Sequence, residues 1–467
     1  MKKEPIYIKS ISLQNVKTFG EETSLNLEKR DGTLSQWTLI LGDNSIGKST
    51  LLQCLAWMKP LLPDDKEDIS SDFTVAPKIN DEENETLINL VKKNNQNKIS
   101  GVIKATFVAQ RKLNRKSKSE NEITCSTDIR IDLITDNDGN RKLDDVQHHF
   151  NTDYDKFFFK NDAEIICYSA LRTLGKQNIN APDMEDTIRQ FISERTELYD
   201  ANEILHTANY ARLGAKNKER KKHTKFLKDV KKMLVSLLPD IQNIEDIEVL
   251  PPRMVNGKLI QEEIMITTRH GKRIPFSSFS LGYKTTVSWT VDLAWRLFNL
   301  YPKSENPLKE PAIVIIDELD LHLHPVWQRR IMTDLSAHFP AVQFIATAHS
   351  PLMVQASFNA NHAILRFEDE TVEIENEPEG IDGWRVDQIL TSEFFGLKSA
   401  RGIAYEKLND ERIELISKEN PNERQKKRIA QLNRQIAKLP TAETPAEIKD
   451  RAFMQDFVSK VKQRFKG

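Results

Sequence analysis

Apolar and polar positions alternate from residue 6 to residue 27, IYIKSISLQNVKTFGEETSLNL, with Ile11 and Leu13 on one face. A period of two reads as strands, and Phe19-Gly20 marks a turn between a pair of them. WTLIL, 37–41, is an unbroken run of apolar and β-branched residues suited to a strand buried on both faces. The loop GDNSIGKS follows, then an apolar-rich helical stretch over 50–58. Residues 60–100 are polar and acidic, with Pro60, Pro63 and Pro77, and read as loops and short helices. The strand pattern returns over 101–135, interrupted by the basic loop RKLNRKSKSEN, and again at EIICYSAL, 164–171. From about 182 to 238 the pattern is helical. Strands follow Pro239, with turns at Asn256-Gly257 and His270-Gly271. A helix is expected over 281–300, a second buried strand at AIVIID, 312–317, a helix from about 325 to 338, and a third buried strand at QFIATAHS, 343–350. The tail from about 404 to 438 is charged and helical. Pro440 and Pro445 end it before a last amphipathic helix, 446–464.

Strands alternating with helices argue for an α/β fold: a mainly parallel sheet flanked by helices, with an antiparallel β part and helical additions. The expected division is 1–175 and 241–375 as the two halves of the core. Residues 176–240 form a helical, basic insertion, and 376–467 a helical region for partner or oligomer contacts. Of the 467 residues 39% are hydrophobic and 29% charged, enough for a sizeable core beneath a charged surface. The net charge of −1 leaves any nucleic-acid contact to local clusters. Cys54, Cys125 and Cys167 lie far apart and make no CxxC pair, which fits a reducing cytoplasm. The opening MKKEPIYIKS lacks the apolar stretch of a signal peptide, and apolar runs fall far short of the roughly 20 residues a bilayer span needs. The expectation is a soluble, cytoplasmic protein with no membrane partner.

Four motifs carry candidate chemistry. Gly42-Asp43-Asn44-Ser45-Ile46-Gly47-Lys48-Ser49 matches GxxxxGK[ST] in full and sits between a buried strand and the helix that Thr50 continues. Glycines there let backbone N–H groups wrap phosphate oxygens, and the helix points its positive end at the same anion. Lys48 would reach the β- and γ-phosphates of ATP, and the Ser49 hydroxyl would bind Mg²⁺; the plain alternative is a chance glycine turn. AIVIIDEL, 312–319, ends a buried strand in two carboxylates, where ligands bind in such folds. Asp317 would hold Mg²⁺ and Glu318 would polarise the attacking water, against the reading of an acidic helix cap. Phe279-Ser280-Leu281-Gly282-Tyr283-Lys284 is either a second anion site at a helix start or an N-cap serine beside a glycine. His349, at the end of the third buried strand, is either a γ-phosphate contact or structural.

The order and spacing of these motifs resemble the ABC-type ATPase heads of the SMC/RecF class, over most of residues 6–367. ISLQNVKTFGE is similar to that class's opening hairpin, whose Asn-x-Lys-x-Phe element precedes the phosphate loop. The resemblance implies a P-loop ABC-ATPase head working as a homodimer, or a higher oligomer. Each ATP would lie between one subunit's phosphate loop and the other's signature segment, so that Ser280 and Gly282 act in trans. Two departures, Phe-Ser-Leu-Gly-Tyr for Leu-Ser-Gly-Gly-Gln and His324 where an aspartate is usual, point to slow turnover and not to lost nucleotide binding. No glutamine is assigned to the Q-loop; Gln110 and Gln177 are both candidates. SLGYKT, IIDELDLHLHPVWQRRI and ATAHSPLMV look like a narrower group, the stand-alone ATPases of anti-phage systems. These are the PtuA subunit of Septu, the AriA subunit of PARIS and the ATPase half of OLD nucleases. The 118 residues after His349 contain no Asp-x-Asp motif. The resemblance therefore implies a nuclease effector on a separate chain, of HNH type in preference to TOPRIM type.

RLGAKNKERKKHTKFLKDVKK, 212–232, holds ten Lys/Arg against two acids. Lys218, Arg220, Lys221, Lys222 and Lys225 are its candidate contacts to a DNA or RNA backbone; a solvated helix face is the equal alternative. Three functions stay open at this point. One is a sensor or regulatory ATPase of an anti-phage complex. The second is a RecF-like ATP-dependent DNA-binding repair factor. The third is a nucleotide-gated scaffold with little hydrolysis.

Overall fold

In the computed structural model, described residues are 5–59, 81–92, 98–110, 113–114, 124–135, 140–150, 164–177, 179, 187–260, 262–378, 383–392, 394–418 and 421–437. The basic loop within 111–123 lies almost wholly outside them, as does the expected helix 446–464. The chain separates into two compact units, Met1–Ile389 and Leu390–Gly467.

The sheet that positions the site has six strands in the order β18-β17-β3-β16-β15-β7. They are β3 (Trp37–Leu41), β7 (Ile165–Tyr168), β15 (Ala312–Ile316), β16 (Val342–Thr347), β17 (Asn361–Glu368) and β18 (Thr371–Asn376). All neighbours run parallel except the edge pair β17–β18. Every residue of β3, β15 and β16 is buried, because helices or a second sheet cover both faces of a parallel sheet. The hairpin β17–β18 was not anticipated. Its turn residues, Asp369 and Glu370, both take positive φ (43° and 67°) without the Asn-Gly pair that signals such a turn.

A five-stranded antiparallel sheet, β2-β1-β4-β5-β6, joins β1 (Ile6–Gln14), β2 (Thr23–Asn26), β4 (Lys98–Ala109), β5 (Thr124–Thr135) and β6 (Arg141–Phe150). Its inward residues, among them Ile11, Leu13, Ile103 and Phe107, share one apolar core with Ile40, Ile315 and Ile345 of the parallel layer. Helix α1 (Lys48–Trp57) lies within that core and α2 (Asp81–Leu90) borders it.

The stretch expected to be helical from 182 to 238 is not helical throughout. Helix α3 (Thr187–Ile192) is followed by strand β9 (Arg195–Tyr199), which pairs in parallel with β8 (Leu171–Gln177). Thr196 and Leu198 are buried there, and Thr196 exchanges hydrogen bonds with Ser169; that tertiary pairing overrides the local helical pattern. Helices α4 (Ala201–Gly214) and α5 (Asn217–Leu237) follow. The turns at Asn256-Gly257 and His270-Gly271 join β11 (Arg253–Val255) to β12 (Lys258–Ile260) and β13 (Met265–Thr267) to β14 (Arg273–Pro275). Strand β10 (Ile247–Glu248) pairs with β13. Helix α6 (Leu281–Leu300) buries most of its length. Past β15 the single helix expected over 325–338 is two, α7 (Pro325–Gln328) and α8 (Ile331–His338), and α9 (Pro351–Ala356) follows β16.

In the second unit the expected 404–438 helix is also two, α10 (Ile403–Ile416) and α11 (Glu423–Ala437). Pro421 stands between them, and a proline disfavours helix in the residue before it. Arg428 donates two hydrogen bonds of 2.7 Å to the Glu411 carboxylate across the pair.

Candidate nucleotide site

Adjacent strands β3, β16 and β15 end on the same edge of the sheet. That edge carries the 42–49 loop, the 347–350 turn and the 317–318 carboxylates side by side. A cavity of about 230 Å³ there is lined by Ser45, Lys48, Ser49, Asp317, Glu318 and His349, with Asn44, Gly47 and Thr50 also on its wall. This is smaller than the roughly 300–1,000 Å³ of ordinary ligand pockets, so it suits one end of a ligand.

The loop's shape comes from residues in unusual conformations. Gly42, Ser45 and Gly47 have φ of 142°, 62° and 116°, and such alternation turns successive N–H groups inward. A Cβ on Gly42 would meet the Leu365 carbonyl at 2.8 Å, and one on Gly47 the Thr18 hydroxyl at 2.8 Å. Helix α1 starts at Gly47 without a side-chain cap and without an acid in its first turn, so its N-terminal donors are left to an anion. Ile46 turns into the core. Gly42 and Asp43 present their carbonyls, at 2.8 and 2.7 Å, to the Lys48 ammonium. Burial lowers the Lys48 pKa, and the carboxylates of Asp317, Asp43 and Glu318 oppose that shift.

Ser49 Oγ donates to Asp317 Oδ2 at 2.7 Å, and Thr347 Oγ1 donates to Asp317 Oδ1 at 2.5 Å. A hydroxyl beside a carboxylate is a hard oxygen pair of the kind Mg²⁺ takes, with its other ligands from phosphate and water; the residues fit that ion. Glu318 has φ 50°, and its N–H donates to Thr347 Oγ1 at 2.7 Å. The His349 N–H donates to both Asp320 oxygens, at 3.2 and 3.1 Å, leaving its exposed ring at the cavity wall.

Sequence reasoning missed the groups that support this edge. Arg172 donates to the backbone carbonyls of Asp317 and Glu318, and burial brings its guanidinium down to about 10. A lone arginine near a strand start carries no signal of such a contact. Lys17 and Thr18, from the opening hairpin, also line the cavity. No glutamine is among its described lining residues, Gln110 included; the side chain of Gln177, the other Q-loop candidate, lies outside what the structure describes.

Ser280 does not line this cavity. It borders another of about 670 Å³ with Asp240, Tyr283, His322, His324 and Trp327. Gly282 is buried with its Cα against the 322 backbone: a Cβ would come within 2.2 Å of the His322 carbonyl oxygen. The Tyr283 hydroxyl donates to Asp240, which Arg269 pairs at 3.2 Å.

The model of the family described as "AAA domain, putative AbiEii toxin, Type IV TA system" matches residues 38–355, which takes in all these motifs. The chain belongs to this family. Among curated relatives, the Retron Vc95 probable ATPase of Vibrio cholerae serotype O1 biovar El Tor is 26% identical over 392 residues, 75% of this chain and 71% of that protein. Septu protein PtuA of Bacillus mycoides (strain KBAB4) is 35% identical over 158 residues, 34% of this chain but 22% of PtuA. The SMC head domain from Thermotoga maritima shares 13% identity at a TM-score of 0.38, covering 80% of this chain and 99% of that one. The family model and the names of the curated relatives bear out the resemblance to ATPases of anti-phage defence systems, and the mainly parallel sheet behind the 42–49 loop bears out the α/β fold class. No described helix is long and apolar enough to cross a membrane.

The basic segment 212–232 spans the last residues of α4, the link at 215–216 and most of α5. The apolar face of α5 packs on α6, with Phe226 and Phe298 ring centroids 4.5 Å apart. Lys222 lies over the Phe298 ring and donates to the Pro302 carbonyl, and Lys225 donates to Asn306. Lys218, Arg220 and Lys221 are exposed. Lys216, Arg220, Lys221, Lys225 and Lys228 line a cavity of about 730 Å³.

Proposed function

We propose that the protein hydrolyses ATP to ADP and phosphate and acts as the sensor or regulatory subunit of a bacterial anti-phage complex in the cytoplasm, controlling a nuclease on a separate chain. The observation that carries the ATPase reading is the convergence of Lys48, Ser49, Asp317, Glu318 and His349 on one small cavity. Backbone N–H groups of the 42–49 loop and the Lys48 ammonium bind the phosphates, Lys48 exchanging its two loop carbonyls for phosphate oxygens. Ser49 Oγ and Asp317 are the residues that would hold Mg²⁺. When bound, Mg²⁺ offsets charge on the β- and γ-phosphate oxygens. Glu318 orients water in line with the γ-phosphate, and His349 contacts that phosphate from the neighbouring strand.

The cavity takes only the end of a nucleotide, and Ser280 and Gly282 lie outside it. We read it as half a site, completed in trans by Ser280 and Gly282 of a second copy. Glu318→Gln should accumulate an ATP-bound dimer in light scattering. Hydrolysis at the wild-type rate in that variant would remove Glu318 from its role. The names of the Septu and retron relatives support the defence role. An HNH reading frame beside the gene is the expected partner, a TOPRIM frame the alternative. A single-turnover assay separates this reading from a scaffold that binds ATP and scarcely hydrolyses it.

The exposed cations of α5 favour a second reading, an ATP-dependent clamp on DNA or RNA. Charge reversal at Lys218, Arg220 and Lys221 should then abolish salt-sensitive binding to duplex; unchanged binding counts against it.

A further inference from the structure

We propose that Arg172 is a positioning residue for Glu318, clamping its backbone so that the carboxylate is held toward the cavity. This rests on the reading of Glu318 as the residue that orients water. Glu318 has φ 50°, a left-handed conformation that a residue with a Cβ keeps only when its surroundings impose it. Two groups impose it. On one side Thr347 Oγ1 accepts the Glu318 N–H at 2.7 Å. On the other, Arg172 Nη2 donates to the carbonyls of both Asp317 and Glu318, the latter at 3.2 Å.

Arg172 is itself fixed, because its Nε donates to the Ser169 carbonyl at 2.9 Å. Ser169 in turn is locked to Thr196 of β9 by three hydrogen bonds of 2.8 to 3.1 Å. The Asp317 N–H donates to the Tyr168 carbonyl at 2.8 Å, so residues 168–172 grip the carboxylate turn at two points. Arg172 is not among the cavity's lining residues; its influence on the reaction passes through the Asp317–Glu318 backbone. A guanidinium suits the task. Its donors are arranged in a rigid planar fork, which serves several carbonyls from a fixed position, whereas an ammonium is a point charge on a flexible stem. Without Arg172 the Thr347 hydrogen bond still holds the Glu318 N–H, and relaxation of Glu318 toward a right-handed φ swings its carboxylate. A misplacement of about 1 Å costs on the order of 100-fold in rate.

The test is a rate cycle with binding and folding controls. Single-turnover hydrolysis, equilibrium affinity for a fluorescent ATP analogue and thermal midpoint are measured for wild type, Arg172→Met, Glu318→Gln and the double variant. The expected result is hydrolysis slower by about 100-fold in Arg172→Met, with affinity within about threefold of wild type. In the Glu318→Gln background the same change should alter the residual rate by less than about twofold, because the clamp then holds nothing that reacts. Equal losses in both backgrounds, or affinity falling in step with rate, would overturn the proposal in favour of a structural role. If Arg172→Met does not fold, Arg172→Lys keeps the charge and most of the volume. It should bind nucleotide normally and hydrolyse at least about tenfold more slowly; a wild-type rate there overturns the clamp. If Glu318→Gln alone hydrolyses at the wild-type rate, the reading of Glu318 fails first. A slow Glu318→Gln beside a fast Arg172→Met sinks the clamp alone.

Discussion

The phosphate loop and the signature turn both place a glycine at the start of a helix, and the two glycines serve different purposes. Gly47 is needed for its conformation: φ is 116°, and the helix behind it starts uncapped. Gly282 lies within α6 at no unusual φ; it is needed for contact, because a Cβ would strike the His322 carbonyl at 2.2 Å. The first glycine shapes a cavity wall from its own neighbours in sequence. The second lets a helix approach a loop about 40 residues further along the chain. The surroundings differ likewise. The loop's charged partners, Lys48 and Asp317, face a cavity. The signature helix keeps one ion pair dry: Asp292 and Arg296 are buried and paired at 2.7 Å. The Asp292 carboxylate also accepts the Tyr168 hydroxyl and the Tyr199 N–H, and the Arg296 guanidinium lies over the Tyr199 ring. Around the loop the charges border a cavity; along the helix behind the signature turn the Asp292–Arg296 pair is buried.

The largest expected effect tests the binding region. Lys48→Ala should weaken ATP binding by about a thousandfold or more, roughly 4 kcal/mol, with little change in thermal midpoint; normal affinity in titration calorimetry would sink the assignment of the loop. Asp292→Ala should do the reverse. It removes the carboxylate that pairs with the buried Arg296 guanidinium, a loss of about 3–5 kcal/mol in denaturant unfolding, while any protein that stays folded binds nucleotide as before.

Acid probes both regions at once. Burial holds His362, whose Nε2 lies 2.6 Å from Ser357 Oγ, down to about 4 from an ordinary 6.5. The unfolded chain therefore takes up the proton first. The stability this residue contributes is complete above pH 6.5 and is lost as pH falls from 6.5 to about 4, roughly 3 kcal/mol in all. His362 pairs with Leu39 of β3, the strand that feeds the loop. His206, His223 and His338, in α4, α5 and α8, are lowered in the same direction by burial. Thermal midpoints at pH 7 and 4.5 should show His362→Gln removing only part of the acid loss. A variant as acid-sensitive as wild type would show that the helical side governs it. Smallest of all, Gly282→Ala should cost about 1–3 kcal/mol of stability through overpacking and slow hydrolysis without changing the ATP affinity of the monomer. Weakened monomer binding there would erase the distinction between the two glycines.

Legibility followed the same divide. The 42–49 loop, the buried strands at 37–41, 312–316 and 342–347, and the α6 helix were readable because their signals are local: glycine spacing, apolar runs, helical periodicity. The turns at Asn256-Gly257 and His270-Gly271 were readable for the same reason. Strand β9 was not, because RTELY inside a long helical pattern becomes a strand only by pairing with β8 and bonding Ser169 through Thr196. The β17–β18 hairpin was missed because Asp369 and Glu370 make its turn without glycine. Of the candidate nucleic-acid residues, Lys222 and Lys225 looked no different from Lys218 in sequence, yet the fold engages them with Pro302 and Asn306.

By itself the sequence determined the chemistry on offer: a glycine-bearing loop of the phosphate-binding pattern, a hydroxyl, two carboxylates, and a histidine at a strand end. Gly42 and Gly47 can take their positive φ because they lack a Cβ, a property of the residue itself that a short motif can specify. The tertiary structure alone decided that β16 lies between β3 and β15, which gathers those groups at one edge. It alone also placed Arg172 beneath a carboxylate turn 145 residues away and His322 against Gly282. Contacts between distant residues depend on which strands pair and how helices pack, and no local pattern of residues carries that information.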